Sequence, residues 1–324
     1  MIICRPRIGG NGFGNEFMYM AKALVCSMEL GARFWKPRWP APYDGVFTAQ
    51  HHEPSLIRHR LRGLRYRLTH RWIEVNQSMY QAMGETSISD SVRRYMAEHG
   101  LGMKENVVFW FTDLWPDITC VMHQIGYLQA VLLSNPALAA EVARSVRRFD
   151  SGKVLVGVHI RRSDFSPEVP LGVKWPEGEF NIRVPMPWYR HVCRVLQREL
   201  GDQVQFFLAS NSNEPEITSF AEEFSCLRGL GQESRNARDV VDLLTLARAD
   251  LVVATPSWFS HWALSFSGAP FLWYKPACGA PEYLSHRQPC FAMLSEPALP
   301  AGLKEYAVNT WRARRFRNLM EQGL

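Results

Sequence analysis

Seven residues, Val154 to Ile160, form an apolar run that contains one histidine and ends in two adjacent arginines. Such a run reads as a strand buried in a sheet. Its surroundings fix the kind of sheet. Trp188–Leu200, Glu214–Glu223, Val240–Ala247 and Phe259–Ser267 read as helices, and Val204–Ala209, Leu251–Ala254 and Phe271–Tyr274 as strands. Strands alternating with helices predict an α/β architecture with a parallel sheet.

The beginning of the chain has the same logic. Met1–Ile8 reads as a strand, Gly9 to Asn15 as a glycine-rich turn, and Glu16–Leu30 as a helix burying Phe17, Met20, Ala21, Leu24 and Met28. Gly31 stops that helix, and Arg33–Trp35 starts a second strand. Val107–Phe111 reads as a strand and Gln129–Phe149 as a helix. Trp39 to Leu64, rich in Pro, His and Arg with weak periodicity, reads as a long excursion or flexible insertion. At ~100–200 residues per domain, a chain of 324 residues predicts two domains. The boundary is expected near Asp150–Gly152, giving domains 1–150 and 151–324. Lys304–Gln322 reads as a basic C-terminal helix containing Arg312, Arg314, Arg315 and Arg317.

Composition narrows the function classes. A net charge of +6 suits a polyanionic small ligand such as a nucleotide, and is compatible with weak attraction to nucleic acid or a membrane surface. A nucleic-acid site would need aromatics interleaved with the basic tail, and only Trp311 and Phe316 offer that. The seven Cys show no CxxC pair and no zinc spacing. They read as reduced core thiols, and with no secretory pattern the expected location is cytoplasmic. Most of the eleven Trp are expected to fill cores.

Two strings carry chemistry. In His159-Ile-Arg161-Arg162-Ser-Asp164, the arginines follow a strand end, where ligands of open parallel sheets bind. A guanidinium there can grip phosphate with two parallel hydrogen bonds. His159 and Arg161 share a face and Arg162 points the other way, with Asp164 placed to hold one arginine. The bland alternative is a sheet-edge ion pair between Arg162 and Asp164. A turn starting at Arg161 would instead bring both arginines to a phosphate. The second string runs from Asp239 through Asp242 and Asp250 to Thr255-Pro-Ser257-Trp258-Phe259-Ser260-His-Trp262. It reads as helix, strand and a hydroxyl-rich turn opening a new helix, whose free N–H groups suit a phosphate. Ser257 is equally an ordinary N-cap.

These strings resemble the signature of the fucosyltransferase superfamily, the α-1,2, α-1,6 and protein O-fucosyltransferases. His-x-Arg-Arg-x-Asp matches its donor motif. Asp-x₇-Asp-Leu-Val-Val-x-Thr-x-Ser is similar to the α-1,6 branch, and Ser-x-Phe-Ser-x-Trp to the α-1,2 branch. The glycine loop lacks both the dinucleotide fingerprint and the P-loop Lys-Ser/Thr. It resembles the Gly-x-x-Gly-Asn-Gln of the same superfamily, with Glu16 in place of the usual Gln. The resemblance implies two Rossmann-like domains facing across a cleft, the GT-B type, with the C-terminal helix packing back on the first.

The implied activity is inverting, metal-independent transfer of fucose from GDP-fucose to a glycan hydroxyl, with no cofactor. The implied donor contacts are His159 near guanine, Arg161 on the diphosphate, Asp242 on the base, and Thr255, Ser257, Trp258 and Phe259 around the phosphates. Arg162 belongs to the same donor set. Gly12, Gly14 and Asn15 would face the donor sugar or acceptor. No Asp-x-Asp for a metal is present. Ser210-Asn211-Ser212 stands where the family often has an acidic pair, which keeps other donor sugars open. Glu16 and Glu168 are the candidate general bases. A catalytically silent nucleotide- or glycan-binding protein of the same fold is the rival reading.

Overall fold

A computed structural model describes residues 1–9, 12–40, 43–83, 87–114, 118–176, 181–229, 238–277 and 288–321, without the side chains of 166, 167, 238 and 315–321. The chain forms two compact units, Met1–Ala139 and a second beginning at Ala140. The division falls inside a helix, Pro136–Val146, earlier than the linker expected near Asp150.

In the first unit, strands β1 (Ile2–Pro6), β2 (Arg33–Phe34), β3 (Arg71–Val75) and β4 (Val107–Phe111) form a parallel sheet in the order β2-β1-β4-β3. Helix α1 (Phe13–Leu30) begins three residues before the expected start, so Gly14 and Asn15 belong to its first turn. Gly31 ends it in the left-handed conformation at φ 64°, its N–H donating to the Met28 carbonyl. Fourteen of the helix's residues are buried, including Lys22, whose ammonium donates to the carbonyls of Asp113 and Leu114 at 3.0 and 2.8 Å.

The expected flexible insertion is ordered structure. Trp39, Tyr43, Val46 and Phe47 are buried, and Trp39 and Phe47 stack at 4.4 Å beside Phe13 and Phe17. Helix α2 (Leu56–Thr69) follows, capped by the Ser55 side chain. Weak periodicity was misleading because aromatics from an irregular segment fill the core as well as a regular face would. Helices α3 (Gln77–Met83) and α4 (Ile88–Glu98) were not read from sequence at all. The helix expected at Gln129–Phe149 is two, α5 (Ile125–Leu133) and α6 (Pro136–Val146). Pro136 has no N–H to continue the first, and the Asn135 side chain accepts from Ala137 N–H to start the second.

The second unit holds the larger sheet. Its strands are β5 (Val154–Ile160), β8 (Val204–Ser210), β9 (Leu227–Arg228), β10 (Leu251–Ala254), β11 (Phe271–Tyr274) and β12 (Cys290–Met293), all parallel in the order β12-β11-β10-β5-β8-β9. A small parallel pair, β6 (Ser166–Glu168) and β7 (Ile182–Arg183), stands apart. Crossovers are supplied by α7 (Met186–Leu200), α8 (Pro215–Glu223), α9 (Arg238–Leu246) and α10 (Trp258–Ser267). The chain leaves β5 toward β8 and β9, then returns to β10 on the other side. The strand order therefore reverses between β5 and β10, the switch point where open α/β sheets bind ligands.

Helix α11 (Leu303–Glu321) ends the chain. Its hydrogen bond and ion pair to the larger sheet lie at the amino ends of the strands. Trp311 donates to the Ser151 carbonyl at 3.1 Å. Arg314 pairs with the buried Asp250 at 2.8 Å, and Asp250 also accepts from Leu155 N–H at 2.7 Å. The side chains of Arg315 and Arg317 lie outside the described residues. Trp35, Trp39, Trp175, Trp188 and Trp262 are among the largest fully buried side chains, as the core reading of tryptophan expects. The six described cysteines are free thiols.

Gly157 sets how closely α9 approaches β5. A Cβ there would lie 2.4 Å from Leu246 Cδ1 and 3.0 Å from Ala249 Cβ. Gly157→Ala is expected to lower unfolding free energy by about 1–3 kcal/mol through overpacking, measured by urea denaturation against the wild type.

Candidate functional site

The two strings that carry chemistry meet at the carboxyl ends of β10, β5 and β8. Paired residues of β5 and β10 run to Val158↔Val253, and beyond that point side chains replace backbone bonds. Thr255 Oγ1 donates to the His159 carbonyl at 2.6 Å. Its one proton is thereby used, so the Tyr189 hydroxyl must donate to Thr255 Oγ1, also at 2.6 Å. Both hydroxyls are buried. Thr255 was expected to surround the phosphates. Its side chain instead ties β10 to β5.

His159 shares its buried place with the next helix. Its Nδ1 lies 2.6 Å from Ser260 Oγ, and its ring stacks on Phe259 at a centroid distance of 4.7 Å. Burial, reinforced by the Arg161 charge, pushes its pKa down to about 3. The ring is neutral at physiological pH, which suits a neutral base or sugar better than a phosphate. Ser257 is the N-cap of α10, its hydroxyl accepting from Ser260 N–H at 3.2 Å. The ordinary-cap reading therefore describes that hydroxyl. What remains for an anion at this turn is backbone: the N–H groups of Trp258 and Phe259 have, by position, no intrahelical acceptor. Trp258 is half-buried, its indole edge-on to His261 at 5.3 Å.

The arginines divide differently from the expected pairing. Arg161, not Arg162, holds Asp164, with Nε to Oδ1 at 3.0 Å and Nη2 to Oδ2 at 2.5 Å. The side-chain amide of Asn211 donates to the same carboxylate at 2.8 Å, while its oxygen accepts from Arg162 N–H at 2.9 Å. The Arg161 hydrogen bond holds the Asp164 carboxyl below its ordinary pKa, against the opposing effect of burial. Phe165 lies under the Arg161 guanidinium at 5.2 Å. A fork on one edge, with an aromatic face beneath, leaves the Nη1/Nη2 end of Arg161 for a ligand.

Arg162 is buried and serves three carboxylates: Glu214 at 2.9 Å, Glu168 at 2.9 Å and Glu216 at 3.3 Å. It was expected in the donor set. It lies two residues past the end of β5, where its side chain instead fixes the start of α8 and the β6 strand. Glu168, a candidate base, is one of its anchors. The other candidate, Glu16, lies in the first unit, fully buried, with both carboxylate oxygens 2.9 Å from Gly9 N. There it closes the glycine loop, a role open to Glu as to the usual Gln. Gly12 is the N-cap of α1 without a side-chain bond, and Gly14 is buried in its first turn beside the half-buried Asn15. Gly10 and Asn11 of that loop lie outside the described residues.

Asp242 is buried on α9. Gly229, just after β9, crosses it so closely that a Cβ would lie 1.8 Å from Oδ1. Gly229, Tyr189, Phe165, Glu214 and Glu216 were all missed from sequence. Only Gly229 carried a local signal, a glycine directly after a short strand. The others are distant in sequence from what they hold. Among the described residues, no group of three or more His, Cys, Asp or Glu could hold a metal ion.

No protein-family model matches the chain, and no curated protein matches its sequence. Among solved structures, POFUT1 in complex with GDP is similar with a TM-score of 0.51 at 13% identity, over 90% of this chain and 98% of that one. The NodZ alpha-1,6-fucosyltransferase soaked with GDP-fucose matches at a TM-score of 0.44 and 17% identity, over 82% and 91% of the two chains. Likeness at this identity establishes the fold. The chain is an α/β protein of two Rossmann-like units, the GT-B class.

Two outcomes follow from the site. Arg162→Ala should cost about 1–2 kcal/mol of stability, because a buried cation that gathers three partly exposed carboxylates is lost. Arg161→Ala, removing a partly exposed pair, should cost under about 1 kcal/mol; both are read by chemical denaturation. Burial also lowers the pKa of His261 to about 3. Both histidines thus have folded values below the ordinary 6.5. Their contribution to stability is complete above pH 6.5 and is lost as pH falls toward 3. At pH 5 each should cost about 2 kcal/mol relative to pH 7. His159→Gln and His261→Gln should each flatten the pH dependence of unfolding by about one proton.

Proposed function

We propose that this protein is a glycosyltransferase using a GDP-sugar, with GDP-fucose the favoured donor and a glycan hydroxyl the acceptor. The observation that carries the reading is Arg161, held by Asp164, itself fixed by Asn211, at the carboxyl end of β5, at the switch point of the larger sheet. Two comparisons are consistent with it: POFUT1 has been solved with GDP on the shared fold, and the motifs resemble those of fucosyltransferases. The neutral ring of His159 and the carboxylate of Asp242 supply the surroundings of a guanine. A carboxylate suits guanine because it accepts from both N1–H and the 2-amino group.

The reaction is displacement of GDP by an acceptor hydroxyl with inversion at the sugar carbon. The acceptor oxygen bonds to that carbon as the glycosidic bond breaks; the broken bond's electron pair goes to the diphosphate and the hydroxyl proton passes to solvent. Arg161 and the first-turn N–H groups of α10 stabilise that charge. They are already oriented before the reaction, so little reorganisation is needed at the moment of bond breaking. In this reading no metal takes part, and turnover persists in excess EDTA.

A second reading has its own support. Both candidate bases are engaged, Glu16 by the Gly9 backbone and Glu168 by Arg162. A fold that binds GDP-sugar without turning it over fits that observation. Release of GDP from GDP-fucose in the presence of a glycan mixture separates the two.

Calorimetry should show GDP binding at least about tenfold tighter than UDP, ADP or CMP. Equal affinity for UDP would sink the guanine assignment. Arg161→Lys keeps the charge but loses the fork to Asp164 and the second prong on phosphate. It should lower kcat/KM by about 10²–10³ in a protein whose circular dichroism is unchanged. Near-normal turnover would remove Arg161 from the diphosphate.

A further inference from the structure

Helix α2 carries a feature that donor chemistry does not use. Its core-facing side is formed by His59, Arg62, Gly63, Tyr66 and His70. Tyr66 packs edge-on against Trp35 at 5.0 Å, and Gly63 faces the same indole, which a Cβ there would meet at an ordinary contact distance of 3.7 Å. Arg62 is tied to Glu53 at 2.9 Å. The opposite side should be polar in an ordinary surface helix. It is instead apolar: Ile57 is 70% exposed, Leu61 61%, Leu64 57% and Leu68 77%. Their spacing of i, i+4, i+7 and i+11 places them in one stripe, about 180° around the helix from the face held by Tyr66.

Arginines line both edges of that stripe. Arg58 and Arg65 flank it on one side and Arg60 and Arg67 on the other, all exposed. The helix contains no Asp or Glu. From Arg33 to Arg71 the chain has nine Arg or Lys and two acidic residues, enough to account for the net charge of +6. Beside the helix start lies a cavity of about 310 Å³ lined by Arg33, Lys36, His52, Glu53, Arg58 and Arg62, among others. Only Glu53 in that lining is acidic, and it is already committed to Arg62.

We propose that α2 is a membrane-docking element, which lies in the interface of a bilayer rich in anionic phospholipid. The apolar stripe enters the acyl boundary, the four flanking arginines reach the phosphate plane on either side, and the basic cavity takes a headgroup phosphate. A phosphate plane on both sides of a buried apolar strip is what the symmetric flanks complement. A second copy of this chain fits worse. Pairing stripe to stripe would bring arginines together with no carboxylate on the helix to offset them. No helix among the described residues is long and apolar enough to cross a membrane; the attachment proposed for α2 is peripheral. This inference does not depend on the donor assignment.

The experiment is vesicle co-sedimentation of the full chain. One set of vesicles is phosphatidylcholine alone, and the other contains about one-third phosphatidylglycerol. Binding to the anionic set should be at least about tenfold stronger and should fall steeply with added salt. The substitutions Leu61→Ser and Leu64→Ser, made together on the exposed face, should abolish binding with unchanged circular dichroism. Arg60→Gln with Arg67→Gln should weaken it by about tenfold or more. No binding to anionic vesicles, equal binding to both sets, or full binding by the double Ser variant would each overturn the proposal. A dimer in sedimentation equilibrium that the Ser variant dissolves, without vesicle binding, would assign the stripe to a second copy instead. The donor reading is scored separately, by GDP affinity in solution, which the Ser variant should leave unchanged.

Discussion

The His159 carbonyl accepts a hydrogen bond from Thr255, and the rest of the larger unit's site depends on that bond. Parallel strands diverge at their ends as a sheet twists, and a divergence between β5 and β10 opens the crevice at the switch point. The Thr255 hydroxyl, itself held by Tyr189, spans the widening gap at 2.6 Å where the backbone ladder has stopped. Fixing the carbonyl fixes the peptide that leads into Arg161. Fixing Thr255 fixes the turn that starts α10, whose Ser260 returns to the His159 ring. Two strings about a hundred residues apart are thereby held as one surface by buried hydroxyls. Buried hydroxyls that are fully paired specify geometry, whereas unpaired ones only cost free energy.

Adjacent arginines take opposite parts just past the end of β5, where each is claimed by different carboxylates. Arg162 is directed inward and gathers Glu168, Glu214 and Glu216, so burial and three anions make it a structural cation. Arg161 is directed to the strand-end crevice, where one anion and one ring orient it without covering its outer edge. Asn211 joins the two, accepting from the Arg162 backbone while donating to Asp164. An acidic residue at that position could accept from the Arg162 N–H but would repel Asp164. The neutral amide is what allows one side chain to serve both.

Sequence made the repeating elements legible because each announces itself locally. Apolar runs such as Val154–Ile160 and Leu251–Ala254 cannot be placed anywhere but in a buried strand, and Gly31 ends α1 as a left-handed cap must. The ends of β5 and β10 were likewise legible, since arginines and hydroxyls directly after a buried strand have a narrow range of uses. What sequence could not supply was partnership. The choice of Asp164 by Arg161 depends on where β8 sets Asn211, and Tyr189 meets Thr255 only because α7 crosses the sheet. The segment Trp39–Leu64 failed for a different reason. Before α2 its order comes from stacking of Trp39, Tyr43 and Phe47 on Phe13, contacts of irregular backbone that leave no period to detect, and they mask the short period that begins at Ile57.

Helix α2 shows where local reading and global packing part company. Its strongest apolar period, Ile57, Leu61, Leu64 and Leu68, would be assigned to the core on sequence alone, with the arginines to solvent. The core face instead is formed by His59, Gly63 and Tyr66, a weaker stripe. The reason lies in Trp35, which takes the rings of Tyr66 and His59 against its indole, and in Trp72, whose indole N–H donates to the Tyr66 carbonyl at 3.3 Å. Leucines on that side would bring branched side chains into the space that Gly63 leaves open. The better-formed apolar face is thus displaced outward, between arginines, at a cost in exposed hydrophobic area that folding of the single chain does not recover.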